Sequence, residues 1–78
     1  MQPIVNVAAY KFAPLADLKP LRKRLLDLCK SLGLRGTILI STEGVNLFVA
    51  GARESVAAVL AELRSLPGLE GLKVKESE

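Results

Sequence analysis

Two leucine-rich stripes at helical spacing, set between short runs rich in Val and Ile, leave this chain few ways to fold. Leu18, Leu21, Leu25, Leu28 and Leu32 recur every three or four residues, so they line one side of a helix over 18–32. Asp17 stands before them as an N-cap, Pro20 falls in the first turn where a missing N–H costs little, and Gly33 follows as a left-handed terminator. Val56, Val59, Leu60, Leu63 and Leu66 form the second stripe, over 53–66, and Pro67-Gly68 stops it. Cys29 flanks the first stripe.

The remaining segments read as strands. Residues 4–11 alternate through Val5, Val7 and Ala9, and Pro14 ends them. Residues 36–42 carry Ile38, Leu39 and Ile40, Glu43-Gly44 supplies a turn, and 45–50 form a third strand closed by Gly51. Residues 72–76 form a fourth. Two amphipathic helices need a sheet to lie on, and one face can take both. With right-handed crossovers the order βαββαβ closes as a ferredoxin-like, acylphosphatase-like α+β sandwich, its antiparallel sheet ordered 4-1-3-2. Residues 1–78 form one domain, with Leu25, Leu28, Ile38, Ile40, Val49, Leu60 and Leu63 expected in its core. No apolar stretch approaches the roughly 18–20 residues that span a bilayer. Met1 to Phe12 has no basic region ahead of its apolar residues, so it reads as a strand and not a signal peptide. A cytoplasmic protein without a membrane partner is expected.

The chemistry open to the chain is narrow. It has no histidine and one cysteine, which removes imidazole catalysis, internal disulfides and a structural zinc site. Cys29 lies near a helix C-terminus, where the dipole disfavours a thiolate, so it reads as a structural thiol. Neither G-x-x-x-x-G-K-[ST] nor G-x-G-x-x-G occurs. No catalytic residue, metal or cofactor is expected. An acylphosphatase would need an arginine-bearing cradle between the first strand and the first helix, and Phe12-Ala-Pro-Leu-Ala-Asp17 has no basic residue. The third strand, Val45-Asn-Leu-Phe-Val-Ala50, does not match the aromatic motif of RNA-recognition modules. A purely structural interaction domain is the third possibility.

Three groups of residues are candidates for binding. Residues 1–39 hold seven basic groups against two acidic ones, and residues 40–78 hold four against six. Lys19, Lys23 and Lys30 share one flank of the first helix, with Arg22 beside them and Arg35 beyond it. Such a row contacts phosphates or serves as a solvated face. At the hairpin tip Glu43, Gly44 and Asn46 orient a ligand or satisfy the turn. Strand alternation puts Val5, Val7, Ile38, Ile40, Leu47 and Val49 under the helices and leaves Tyr10, Leu39 and Phe48 on the open face. A contiguous apolar patch there marks a contact surface, expected to pack against another part of a longer protein.

Beyond these readings, the runs Tyr10-Lys-Phe12, Asp17-Leu18, Leu28-Cys-Lys-Ser-Leu-Gly33, Gly36-Thr-Ile-Leu39, Glu43-Gly-Val-Asn46, Val49-Ala-Gly51 and Val74-Lys-Glu-Ser77 resemble the N-terminal domain of the rhodanese-like tRNA uridine hydroxylases, long filed as rhodanese-related sulfurtransferases. Leu47 departs from the small residue many members carry. The resemblance implies a ferredoxin-like domain followed by a rhodanese domain in cis, which bears the catalytic cysteine. It also implies a protein that converts the tRNA wobble uridine to 5-hydroxyuridine. Cys29 does not match the motif of that cysteine. On this resemblance the chain is a non-catalytic module with tRNA and the rhodanese domain as partners, serving tRNA docking or domain packing.

Overall fold

The computed structural model describes residues 4–77; Met1 to Pro3, which the sequence reading joined to the first strand, lie outside them. The elements are β1 (Ile4–Phe12), α1 (Leu18–Leu32), β2 (Arg35–Ser41), β3 (Gly44–Ala52), α2 (Arg53–Arg64) and β4 (Val74–Ser77). All neighbouring strands run antiparallel in the order β2-β3-β1-β4, the expected order read from the other edge. Both helices lie on one side. The ferredoxin-like, acylphosphatase-like βαββαβ sandwich is the fold of this chain.

The helix stripes turn inward as their spacing dictates. Leu21 and Leu25 of α1 and Val56, Val59, Leu60 and Leu63 of α2 are buried against Val5, Val7, Ala9, Ile40, Val45, Leu47 and Val49 of the sheet. Leu28 and Ile38 are only partly buried, because α1 and β2 lie along one edge of the sandwich. Leu69 and Leu72, which the sequence did not place in the core, are fully enclosed. Leu69 is 0% and Leu72 2% exposed. They belong to the turn-rich link between α2 and β4, where the Leu69 N–H donates to the Leu66 carbonyl and the Leu72 N–H to that of Leu69. Arg64 clamps this link by donating from Nε and Nη2 to the Leu72 carbonyl at 3.2 and 2.9 Å.

Several boundaries move from their sequence positions. The α2 helix stops at Arg64, short of Leu66, and β4 begins at Val74, since Leu72 is spent on the core. Strand β2 occupies 35–41, one residue earlier than expected, and β3 extends through Gly51 to Ala52 and passes directly into α2. At the end of α1, the Gly33 N–H reaches the Lys30 carbonyl and the Leu34 N–H that of Cys29, the paired bonds of a Schellman motif. Two ion pairs tie the helix layer: Arg24 to Glu62 at 2.6 Å between α1 and α2, and Arg53 to Glu76 at 2.7 Å between α2 and β4.

Asp17 does not cap α1 as expected. It sits in the left-handed region (φ 54°, ψ 49°), and its side chain makes no capping hydrogen bond. Its carbonyl still accepts the Leu21 N–H at 3.1 Å. Left-handed backbone is strained for any residue with a Cβ, even aspartate. Asp17→Gly is therefore expected to raise stability by about 0.5–1 kcal/mol, or a few degrees in Tm for a domain this small. A fall in Tm on this substitution means that the carboxylate contributes more than the strain costs.

Candidate functional site

The hairpin candidates separate once the register is known. Ser41 pairs with Gly44, so Thr42-Glu43 form the two-residue turn in place of Glu43-Gly44. Glu43 does the work of the turn. Its N–H donates to Ser41 Oγ at 3.1 Å, and its carbonyl accepts the Ala13 N–H at 2.9 Å. Gly44 is buried with φ 154°, and a Cβ there would collide with the Lys11 carbonyl of the adjacent strand. Its lack of a side chain lets β3 and β1 approach. Asn46 leaves the tip altogether: it stands exposed within β3, opposite Tyr10 on one side and Leu39 on the other.

That register joins Asn46 to the apolar candidates. Leu39, Asn46 and Tyr10 form one cross-strand row on the face away from the helices; Thr37, Phe48, Ala8 and Lys75 form the next; Arg35, Ala50, Asn6 and Ser77 form a third. Tyr10 is 69%, Leu39 61% and Phe48 57% exposed. The sequence reading missed Phe12 and Ile4, which share this face and are exposed as well. Strand parity could have found both, since they fall in step with Ala8 and Tyr10. The rings of Tyr10 and Phe12 meet edge to face, 6.1 Å between centroids at 70°. Shallow grooves run along both sides of this ridge, one lined by Leu39, Ser41 and Asn46, the other by Ala8, Lys73 and Lys75.

The basic candidates divide between the two layers. Lys19, Arg22, Lys23 and Lys30 are all exposed on α1. Lys23 is already paired with Asp27 at 3.1 Å, so an acid stands on the same flank as the lysine row. Arg35 is not part of that row. It opens β2 in register with Ala50, at the mouth of a cleft between α1 and β2 that Arg22 also lines.

The potential for covalent chemistry is low. Burial pushes the Cys29 thiol above its ordinary pKa, the wrong direction for a nucleophile. In the β1–α1 connection, where a phosphate cradle would sit, the amides on either side of Pro14 are committed. The Ala13 N–H donates to the Glu43 carbonyl and the Leu15 N–H to that of Thr42, while Pro14 between them has none. Among the described residues no cluster of three or more His, Cys, Asp or Glu is placed to hold a metal ion. No described helix is long and apolar enough to cross a membrane.

The chain is 49% identical over 74 residues to the tRNA uridine(34) hydroxylase of Bordetella avium, covering 95% of this chain and 31% of that protein. It is 44% identical over 77 residues to the enzyme of the same name from Teredinibacter turnerae, covering 99% and 24%, and 46% identical over 77 residues to that of Variovorax paradoxus, covering 99% and 29%. The chain thus spans only about a quarter to a third of these relatives' length. Among solved structures, the de novo designed protein Ferredog-Diesel superposes with a TM-score of 0.57 at 18% identity, over 100% of this chain and 87% of that one, a likeness of fold alone. Residues 4–78 match the family described as the UPF0176 acylphosphatase like domain, and on that match the chain belongs to this family of N-terminal domains.

Proposed function

We propose that this chain is the non-catalytic N-terminal module of a cytoplasmic protein that hydroxylates uridine 34 of tRNA, where it helps dock the tRNA beside a rhodanese domain following in cis. The observation that carries the reading is the coverage: nearly the whole chain aligns with proteins named for that activity, yet over no more than 31% of their length in the three relatives compared. The interior agrees with a binding role, since the one thiol is shifted against ionisation and the amides beside the β1–α1 proline are spent on the hairpin. The same spent amides and the absence of a basic residue from Phe12 to Asp17 speak against a stand-alone acylphosphatase.

Mass spectrometry of tRNA nucleosides tests the proposal. The full gene product, expressed in bacteria lacking their own hydroxylase, should restore 5-hydroxyuridine, and deleting residues 1–78 should remove most of it. Full restoration by the truncated protein, or none by the complete one, would overturn the reading.

The α1 row has a more limited expected part. Because Lys23 is paired with Asp27, Lys19→Glu with Lys30→Glu should lower the salt slope of tRNA binding by about two units at most, near one per phosphate contact. A filter-binding titration against salt measures this, and an unchanged slope assigns the row to ordinary solvated charge.

A further inference from the structure

The chain contains one tyrosine, two phenylalanines and no tryptophan. All three rings stand in solvent, with Phe12 the most open at 80%. Among the described residues the buried hydrophobic side chains are Leu, Val, Ile and Ala. A small domain is short of core volume, and an aromatic side chain offers about 150–250 Å² of burial. Setting every ring outward on one face is the opposite of what stability alone would favour. Those rings belong to the two central strands: Tyr10 and Phe12 on β1, and Phe48 on β3 in the next row of that face, two residue pairs along from the Tyr10–Asn46 pair.

We infer that the open face of the sheet is a stacking platform for unpaired bases of a single-stranded RNA segment. A four-stranded sheet with exposed rings on its central strands is a geometry on which bases can be laid flat. Stacking of this kind tolerates sequence because every base has a π face. The charges fit the same occupant. Arg35 on β2 and Lys75 on β4 lie at opposite edges of the face, and none of its described strand positions carries a carboxylate. Glu76 is turned to the helix side, in register with buried Val7, and bonds Arg53; Glu43 stays at the rim in the hairpin turn. Another protein domain would need no cations at both edges, whereas a polyanion with apolar bases uses them. Asn46, between Leu39 and Tyr10, adds an amide with donors and an acceptor for a base edge. The helix layer is less suited, since Lys23 and Arg24 are committed to Asp27 and Glu62. The choice of RNA rests on the proposed tRNA function; the choice of this face does not.

Proton NMR of the 78-residue chain titrated with an oligouridylate of about eight nucleotides, within the usual site size, tests the inference. Ring protons of Tyr10, Phe12 and Phe48 should move upfield together, with amide shifts along β1 and β3. Tyr10→Ala and Phe48→Ala should each weaken binding about tenfold at an unchanged melting temperature, and Lys19→Glu with Lys30→Glu should leave the ring shifts in place. The inference is overturned by shifts confined to α1, by no binding, or by equal binding of an RNA duplex of about sixteen base pairs. Ring shifts that grow with protein concentration before RNA is added would assign the face to a second copy. Rings shielded from the oligouridylate in the full gene product would assign it to a domain in cis. Hydroxylation that needs residues 1–78 while the rings stay unmoved overturns this inference alone. Ring shifts without any need for residues 1–78 in hydroxylation overturn the proposed function alone.

Discussion

Leu63→Ala is expected to cost about 2–5 kcal/mol, the range for truncating an enclosed leucine. Leu63 is 0% exposed, and it lies on the α2 stripe that packs the sheet. A domain of this length holds on the order of 4–12 kcal/mol in all, so the variant should lose a large part of its cooperative melt at ambient temperature. Urea denaturation measures the loss. The same truncation at half-buried Leu28 should cost clearly less, because part of that side chain is already in water. Equal costs at the two positions would mean that α1 packs more deeply than the structure shows.

Gly36→Ala is the second substitution expected to have a large effect, although it only adds a methyl group. Gly36 has φ 121°, and a Cβ built there would run into the Phe48 carbonyl of the neighbouring strand. A side chain in that region costs about 1–3 kcal/mol in backbone strain, and the collision adds to it because the obstacle is backbone and cannot rotate away. The expected result is a loss of more than about 2 kcal/mol, with hydrogen-exchange protection falling first along β2, which among the described strands pairs with β3 alone. Gly33→Ala provides the comparison: its φ is 69° and nothing lies within 4 Å of the added carbon, so it should show conformational strain without the collision. Similar losses at the two glycines would show that the approach of β2 to β3 is not tight.

Much of this architecture was legible because period and punctuation agreed. The α1 stripe and Gly33 fixed a helix whose ends the structure reproduces at Leu18 and Leu32, and alternation in β1 and β3 assigned Val5, Val7, Leu47 and Val49 to the covered side. What escaped depended on tertiary placement. Leu69 and Leu72 lie in a link with no regular period, so only the clamp from Arg64 and the roof over the core reveal their burial. Asp17 has the right chemistry for a cap, but the chain enters α1 through left-handed backbone that points the side chain elsewhere. Thr42 and Glu43 share the turn because of a one-residue difference in pairing, which composition does not encode. For the candidate site, the exposed apolar residues were readable from parity. Their union with Asn46, Arg35 and Lys75 into rows required the register of four strands, and the Lys23–Asp27 pair required side-chain geometry.

The outward placement of every aromatic ring also has an optical consequence. With no indole and its single phenol already in water, the folded chain should have almost no near-ultraviolet circular dichroism, and its tyrosine emission should barely change as the aliphatic interior melts. Unfolding of this domain would then be nearly invisible to fluorescence and plain in the far-ultraviolet amide bands. The same phenol, silent toward folding, becomes a selective reporter of anything that settles on the open sheet.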